Sequence, residues 1–114
     1  MRFEIILAPG AVAAVKGLAA PVRAGVTEAI ERHLTHEPTT VSKSRIKRLR
    51  GLSQPQYRLR VGDIRVFYDV TETQVQVLAI VTKAEADAWL KEYGTPAKDS
   101  VEGGGARGGQ RRSV

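Results

Sequence analysis

Apolar residues occupy every second position on both sides of a Gly-Asp pair at positions 62 and 63. The alternating positions are Tyr57, Leu59, Val61, Ile64, Val66 and Tyr68. A period of two is typical of a β-strand with one buried face, and Gly62-Asp63 is a two-residue turn signal. The pattern therefore predicts a tight β-hairpin in which Gly62 occupies a position that requires a positive φ.

The two-residue turn also predicts which residues face each other across the hairpin. The expected pairs are Val61 with Ile64, Arg60 with Arg65, Leu59 with Val66, and Arg58 with Phe67. Like charges directly opposite each other destabilise a strand pair, so the pairing of Arg60 with Arg65 is unfavourable unless an anion neutralises it. We therefore expect the arginine face of the hairpin to bind phosphate groups.

The remaining periodic segments predict an α+β fold. The expected elements are strand 2–7, helices 11–18 and 21–35, the hairpin 57–70, strand 74–81 and helix 83–93. Thr82 and Glu85 match a capping box at the start of the last helix, where Trp89 and Tyr93 are expected to pack. The predicted order is β-α-α-β-β-β-α, with a small, mostly antiparallel sheet. We expect the helices to pack on one face of this sheet and the arginines to occupy the open face.

The composition changes after Gly94. Residues 95–114 are rich in glycine and arginine and contain little that could pack into a core. Such segments do not bury enough apolar surface to offset the entropy lost on folding. We therefore expect one domain over residues 1–94 and a disordered tail over residues 95–114.

Composition and charge narrow the possible function. The chain has 114 residues, a net charge of +6 and no cysteine. One small domain with this excess of base suggests a polyanionic partner, and the absence of cysteine excludes disulfides and thiolate metal sites. No apolar run is long enough for a signal peptide or a membrane span, so we expect a cytoplasmic protein. His33 and His36 are too isolated for a metal site, and we expect no metal and no cofactor.

Basic residues are concentrated between Ser42 and Arg65, where Asp63 is the single acidic residue. The basic positions are Lys43, Arg45, Lys47, Arg48, Arg50, Arg58, Arg60 and Arg65. Internal ion pairs with one acid cannot neutralise this group. It forms either a solvated edge or a binding surface for RNA phosphates or an acidic protein segment, and arginine suits phosphate because its planar fork binds bidentately. Phe67 should share this face, exposed, and either stack on a base or pack beneath a partner peptide.

The combination of residues 48–51, the hairpin 57–68, an apolar strand and a short helix resembles the RelE/ParE superfamily of bacterial type II toxins. The resemblance covers residues 2–93. It implies a toxin held inactive by a cognate antitoxin in a hetero-oligomer. The RelE branch of this superfamily cleaves mRNA in the ribosomal A site by attack of the ribose 2′-hydroxyl on the adjacent phosphate. The ParE branch inhibits DNA gyrase and is not a nuclease.

The resemblance assigns roles to several basic residues. Arg65 matches the arginine that stabilises the transition state in the RelE branch, and Arg58 matches a basic position on the preceding strand, with Arg60 close by. Arg58 and Arg60 are then expected to bind flanking phosphates. The basic approach to the site corresponds to Arg45, Lys47 and Arg48.

The chain departs from the RelE pattern after its last long strand. Ala84 stands where these nucleases carry an arginine or histidine, and Leu90 stands where they often carry a tyrosine. Lys83 is the remaining candidate for proton transfer or charge neutralisation. Three functions are therefore compatible with the sequence: a ribosome-dependent mRNA endonuclease, a gyrase inhibitor of the ParE type, and a toxin relic that binds only its antitoxin.

Overall fold

The computed structural model describes residues 1–97. Its elements in chain order are β1 (Glu4–Leu7), α1 (Pro9–Gly17), α2 (Ala20–Leu34), β2 (Ile46–Arg48), β3 (Leu52–Gln54), β4 (Tyr57–Val61), β5 (Ile64–Val70), β6 (Gln74–Thr82), α3 (Lys83–Tyr93) and β7 (Thr95–Pro96). The α+β class is confirmed, as are the three predicted helices. None of the helices within residues 1–97 is long and apolar enough to cross a membrane.

Five strands form one sheet in the order β1-β6-β5-β4-β2. Only β1 is parallel to its neighbour, so the sheet is mostly antiparallel, as predicted. The register of the β4–β5 hairpin is also confirmed, with Arg60 opposite Arg65 and Arg58 opposite Phe67. Gly62 has a φ of 58°, in the left-handed region that glycine adopts without steric cost. The turn residues thus determine which side chains share each face of the hairpin.

One face of the sheet forms the main core. Leu59, Val66 and Tyr68 are fully buried there, and α2 packs Val26 and Ile30 into the same cluster. This is the face on which the period of two places the alternating apolar residues from Tyr57 to Tyr68. Burial of this surface supplies the main stabilisation and holds the β4–β5 hairpin rigidly.

The third helix packs on the opposite face, which differs from the prediction that all helices share one face. α3 contacts β5 and β6. Its Trp89 stacks on Phe67 at 5.4 Å between ring centroids, with 15° between the ring planes. The physical reason is that Phe67 is a large apolar residue on the arginine face, and the aromatic ring of Trp89 covers it. The arginine face is therefore only partly open.

The basic segment before the hairpin contains two short strands that the sequence did not predict. β2 pairs antiparallel with β4 and extends the main sheet, and β3 pairs antiparallel with β7 in a separate two-stranded sheet. Both are three residues long, too short for an alternating pattern to be recognised. The carboxylate of Asp69 accepts hydrogen bonds from Gln54 Nε2 at 2.6 Å and the Gln56 backbone N–H at 2.8 Å, which ties this segment to β5.

The predicted boundary between domain and tail at residue 95 is wrong by a few residues. Thr95–Pro96 forms β7 against β3, so the folded part continues past Gly94. Gly94 ends α3 with an extended backbone, and a Cβ at this position would lie 2.5 Å from the carbonyl oxygen of Leu90. Glycine is thus required here for close approach. The rest of the predicted tail, residues 98–114, lies outside the described residues.

Candidate functional site

A cleft of about 330 Å³ lies between α3 and the arginine face of the sheet. The sheet side contributes Lys47, Arg58, Arg65 and Phe67, and the adjoining segment contributes Leu49. The helix side contributes Lys83, Ala86, Asp87 and Leu90. Four of the nine lining residues are cationic and one is a carboxylate, so the lining carries a net positive charge that attracts anions.

Arg65 is held in this cleft by the hairpin itself. Its side chain is 7% exposed, and Nη1 donates hydrogen bonds to the carbonyl oxygens of Gly62 at 2.9 Å and Ile64 at 3.1 Å. The tight turn at Gly62 directs its carbonyl oxygen toward the guanidinium group. These bonds fix the guanidinium before any ligand binds, which is the preorganisation that electrostatic catalysis requires.

Arg58 has an unsatisfied donor in the same cleft. Its Nε is buried and has no hydrogen-bond partner among residues 1–97. Burial lowers the pKa of Arg58, and the positive charges of Arg65 and then Arg60 lower it further. A buried donor without an acceptor costs free energy, and so does an uncompensated charge. An anion bound between Arg58 and Arg65 would relieve both costs.

Arg60 is the cross-strand partner of Arg65 but does not line the cleft. Its side chain is exposed, while that of Arg65 turns back toward the hairpin. The repulsion expected from the register is therefore reduced by directing the two guanidinium groups into different surroundings. Arg60 lies at the solvent side of the same sheet face.

The three basic residues predicted to lie near the site, Arg45, Lys47 and Arg48, do not share one face, because side chains alternate between the two faces of β2. Lys47 pairs with Arg58 and lines the cleft. Arg48 points to the other face, where its guanidinium lies 5.2 Å from the centroid of the Tyr57 ring, and its Nη1 donates to the Gln56 carbonyl oxygen at 2.7 Å. Arg45 precedes the strand and lines a separate small cavity. Of the three predicted residues, only Lys47 reaches the cleft.

The expected exposure of Phe67 is wrong. Its side chain is 1% exposed because Trp89 stacks on the ring. Tyr93 continues the stack, with its ring centroid 5.3 Å from that of Trp89. Phe67 therefore forms part of the wall of the cleft and anchors α3, and its ring face is not free to stack on a base.

Two acidic residues near the start of α3 have different surroundings. Glu85 forms the predicted capping box, in which its carboxylate accepts hydrogen bonds from the backbone N–H and the hydroxyl of Thr82. These bonds lower the pKa of Glu85, the backbone bond most strongly. Asp87 lines the cleft instead. No motif singled out Asp87 in the sequence, and the available signal was its spacing of four residues from Lys83 on the predicted helix.

The predicted departures from the RelE pattern also lie on α3. Leu90 lines the cleft, whereas Ala84 is exposed and does not. Lys83 is in the cleft, as its candidate role requires. The cleft thus combines the hairpin arginines with Lys83 but presents an aliphatic side chain at position 90.

The histidines lie away from the cleft. Burial lowers the pKa of His33, and the charges of Arg45 and Arg32 add to this effect. His36 lies 3.1 Å from the Met1 carbonyl oxygen through Nδ1. Across residues 1–97, no group of histidine, aspartate and glutamate side chains is arranged to hold a metal ion.

Among the solved structures with the same fold, three are RelE–RelB or RelBE complexes. No protein-family model and no curated protein matches the sequence. The RelE–RelB complex from Pyrococcus horikoshii matches with a TM-score of 0.60 and 24% identity, covering 73% of this chain and 97% of that chain. The RelB–RelE antitoxin–toxin complex from Methanococcus jannaschii matches with a TM-score of 0.58 and 19% identity, covering 74% and 96%.

A third match is the RelBE2 toxin–antitoxin complex from Mycobacterium tuberculosis, with a TM-score of 0.55 and 22% identity over 72% of this chain and 99% of that chain. These identities are low, and the likeness lies in the arrangement of helices and strands. The resemblance inferred from the hairpin is confirmed at this level, and the chain has the fold of the RelE-like toxins.

Proposed function

We propose that this protein is the toxin of a type II toxin–antitoxin pair and that it cleaves mRNA on the ribosome. The observation that carries the proposal is that Arg58, whose buried Nε has no partner within residues 1–97, lies with the preorganised Arg65 in one cationic cleft. A phosphodiester supplies the missing acceptor and the missing negative charge. Arginine forks match phosphate oxygens in geometry and charge.

Arg65 stabilises the transition state in this proposal. Attack of the 2′-hydroxyl on the adjacent phosphate places additional negative charge on the phosphate oxygens. A fixed donor aimed at that charge is worth about 3 kcal/mol, or roughly a hundredfold in rate. Arg58 binds the same phosphate, and Lys47 and Lys83 add positive charge at the two sides of the cleft. Arg60 contacts a flanking phosphate from its exposed position on the sheet face.

An antitoxin is the proposed protein partner. The structural neighbours from Methanococcus jannaschii and Mycobacterium tuberculosis are antitoxin–toxin complexes. A cationic cleft in which the buried Nε of Arg58 has no partner within residues 1–97 favours a partner segment that carries carboxylates. We expect a hetero-oligomer in which an acidic segment of the antitoxin neutralises the cleft.

The test is to incubate the purified protein with programmed ribosomes and map new 5′ ends on the mRNA. The proposal predicts cuts with a 5′-hydroxyl and a 2′,3′-cyclic phosphate, and none in the same mRNA without ribosomes. Growth arrest on expression without new mRNA ends would contradict it. A cognate antitoxin should abolish the cleavage when it is added in equimolar amount.

Inhibition of DNA gyrase is a second candidate function. Leu90 in the cleft favours it, because a leucine cannot transfer a proton at a position where RelE-type nucleases often carry a tyrosine. This alternative predicts inhibition of supercoiling by the purified protein in the absence of ribosomes. A third outcome, binding of antitoxin with neither activity, would identify a toxin relic.

A further inference from the structure

We propose that Asp87 is the general base that accepts the proton of the attacking 2′-hydroxyl. This inference rests on the proposed nuclease function and assigns the catalytic group that the family pattern leaves vacant at Ala84 and Leu90. Asp87 would then be a catalytic residue contributed by α3, opposite the phosphate-binding residues of the sheet.

The position of Asp87 follows from the periodicity of α3. The residues of α3 that line the cleft are Lys83, Ala86, Asp87 and Leu90, at spacings of three and four that define one face of a helix. The stack of Trp89 on Phe67 fixes the rotation of the helix about its axis. The carboxylate of Asp87 is therefore held at the wall of the cleft that faces the sheet arginines.

Of the described residues that line the cleft, Asp87 alone has a side-chain lone pair able to accept a proton. Lys47, Arg58, Arg65 and Lys83 are donors without acceptor capacity when charged, and the other lining side chains are hydrocarbons. A 2′-hydroxyl is a weak nucleophile and needs a base to remove its proton in the transition state. Within the cleft, this requirement leaves one candidate.

The carboxylate of Asp87 is also free to act. Within residues 1–97 it forms no hydrogen bond and no ion pair. The nearby Glu85, in contrast, is held by the backbone N–H of Thr82 at 3.1 Å and its hydroxyl at 3.0 Å. Glu85 therefore stabilises the start of α3, while Asp87, two positions later, is available to accept a proton.

The proposed step balances without a further reactant. The 2′-oxygen gives its proton to a carboxylate oxygen of Asp87 and forms a bond to phosphorus. The bond from phosphorus to the 5′-oxygen of the next nucleotide breaks, and this oxygen keeps the electron pair and takes a proton from solvent. Asp87 returns its proton to solvent, leaving a 2′,3′-cyclic phosphate and a 5′-hydroxyl.

A purely electrostatic role for Asp87 makes the opposite prediction. If the carboxylate only reduces the positive charge of the cleft, its removal strengthens phosphate binding and cleavage becomes as fast or faster. If it is the base, its removal slows the chemical step while binding is unchanged or tighter. The substitution Asp87→Asn separates the two roles because it keeps the shape and removes both the charge and the basicity.

The experiment measures single-turnover cleavage on programmed ribosomes at saturating protein. For Asp87→Asn we expect the rate constant to fall by roughly a hundredfold or more, the usual range for loss of a general base. The protein concentration that gives half-saturation should not increase. The variant's rate should also rise about tenfold per pH unit, because hydroxide must then take the proton, and more steeply than the wild-type rate. Asp87→Glu should restore part of the rate.

The matched control is Glu92→Gln, which makes the same change of charge on α3 at an exposed position outside the cleft. It should cleave at the wild-type rate. The emission of Trp89 reports whether α3 remains docked in each variant. Cleavage by Asp87→Asn at or above the wild-type rate at saturating protein would overturn the assignment of Asp87. A loss of rate that appears only at low protein concentration would therefore overturn it as well. Absence of cleavage by the wild-type protein would instead overturn the proposed function, and the role of Asp87 with it.

Discussion

Arg60 and Arg65 face each other across the β4–β5 hairpin, yet only Arg65 lines the cleft. The turn that brings them together also supplies the carbonyl oxygen of Gly62, which accepts a hydrogen bond from Arg65. The hairpin thereby separates two like charges and fixes one of them at the site. The arrangement reduces the repulsion between Arg60 and Arg65 and holds the Arg65 guanidinium group in the cleft.

Anion binding should stabilise the protein through Arg58. Pyrophosphate is expected to raise the melting temperature at constant ionic strength, because it binds the folded cleft and not the unfolded chain. Arg58→Gln should abolish this rise. Without an anion, the same variant should be at least as stable as the wild type, since it removes a buried Nε that has no partner within residues 1–97 and a repulsion between like charges.

Lys43→Gln is the control for the anion experiment, because it removes one charge from an exposed residue outside the cleft. It should retain the rise in melting temperature. An equal response to pyrophosphate in Arg58→Gln and the wild type would show that the anion binds elsewhere.

Docking of α3 should depend on Trp89. The helix has no fully buried residue, so its attachment relies on the stack with Phe67. Trp89→Ala should reduce the free energy of unfolding by about 2 kcal/mol, through lost apolar burial and lost ring contact. Trp89→Phe should lose less than half of this. Chemical denaturation followed by circular dichroism measures both values, and a Trp89→Ala variant as stable as the wild type would contradict this view of α3.

Stability should fall as the pH is lowered through the titration of His33. Burial and two neighbouring arginines lower its pKa from the usual value of 6.5, so the unfolded chain binds the proton more readily than the folded protein. The stabilisation by neutral His33 is therefore present above the unfolded pKa and is lost as the pH falls through the folded pKa. Denaturation midpoints between about pH 7.5 and pH 5.5 should decline less in His33→Gln than in the wild type.

The control for His33 is His36→Gln, since His36 lies at the exposed end of the same region. Because this variant retains His33, its stability should still decline between about pH 7.5 and pH 5.5. A His33→Gln protein with the wild-type slope would mean that another group causes the decline.

The hairpin was predictable because two strong local signals agree. The period of two along Tyr57 and its alternate neighbours identifies the buried face, and Gly62-Asp63 sets the register. Neither signal depends on distant parts of the chain. The capping box of α3 is also a signal from residues close together in the sequence. The helix begins where Thr82 and Glu85 predict.

The remaining features depend on contacts between distant segments. The cover over Phe67 comes from Trp89 on α3, and no local pattern near Phe67 indicates it. The separation of Lys47 from Arg48 arises because β2 alternates its side chains between two faces, which is visible only once the strand pairs with β4. The place of Asp87 in the cleft follows from the docking of α3 on the sheet.

We infer that Arg65 stabilises the transition state of mRNA cleavage in the cleft. The most direct test compares Arg65→Ala with Arg60→Ala in single-turnover cleavage on programmed ribosomes at saturating protein. We predict a loss of roughly a hundredfold in the rate constant for Arg65→Ala and a loss of less than about fivefold for Arg60→Ala, since a fixed donor in the site is worth about 3 kcal/mol and an exposed charge much less. Equal rates for Arg65→Ala and the wild-type protein would contradict this role of Arg65.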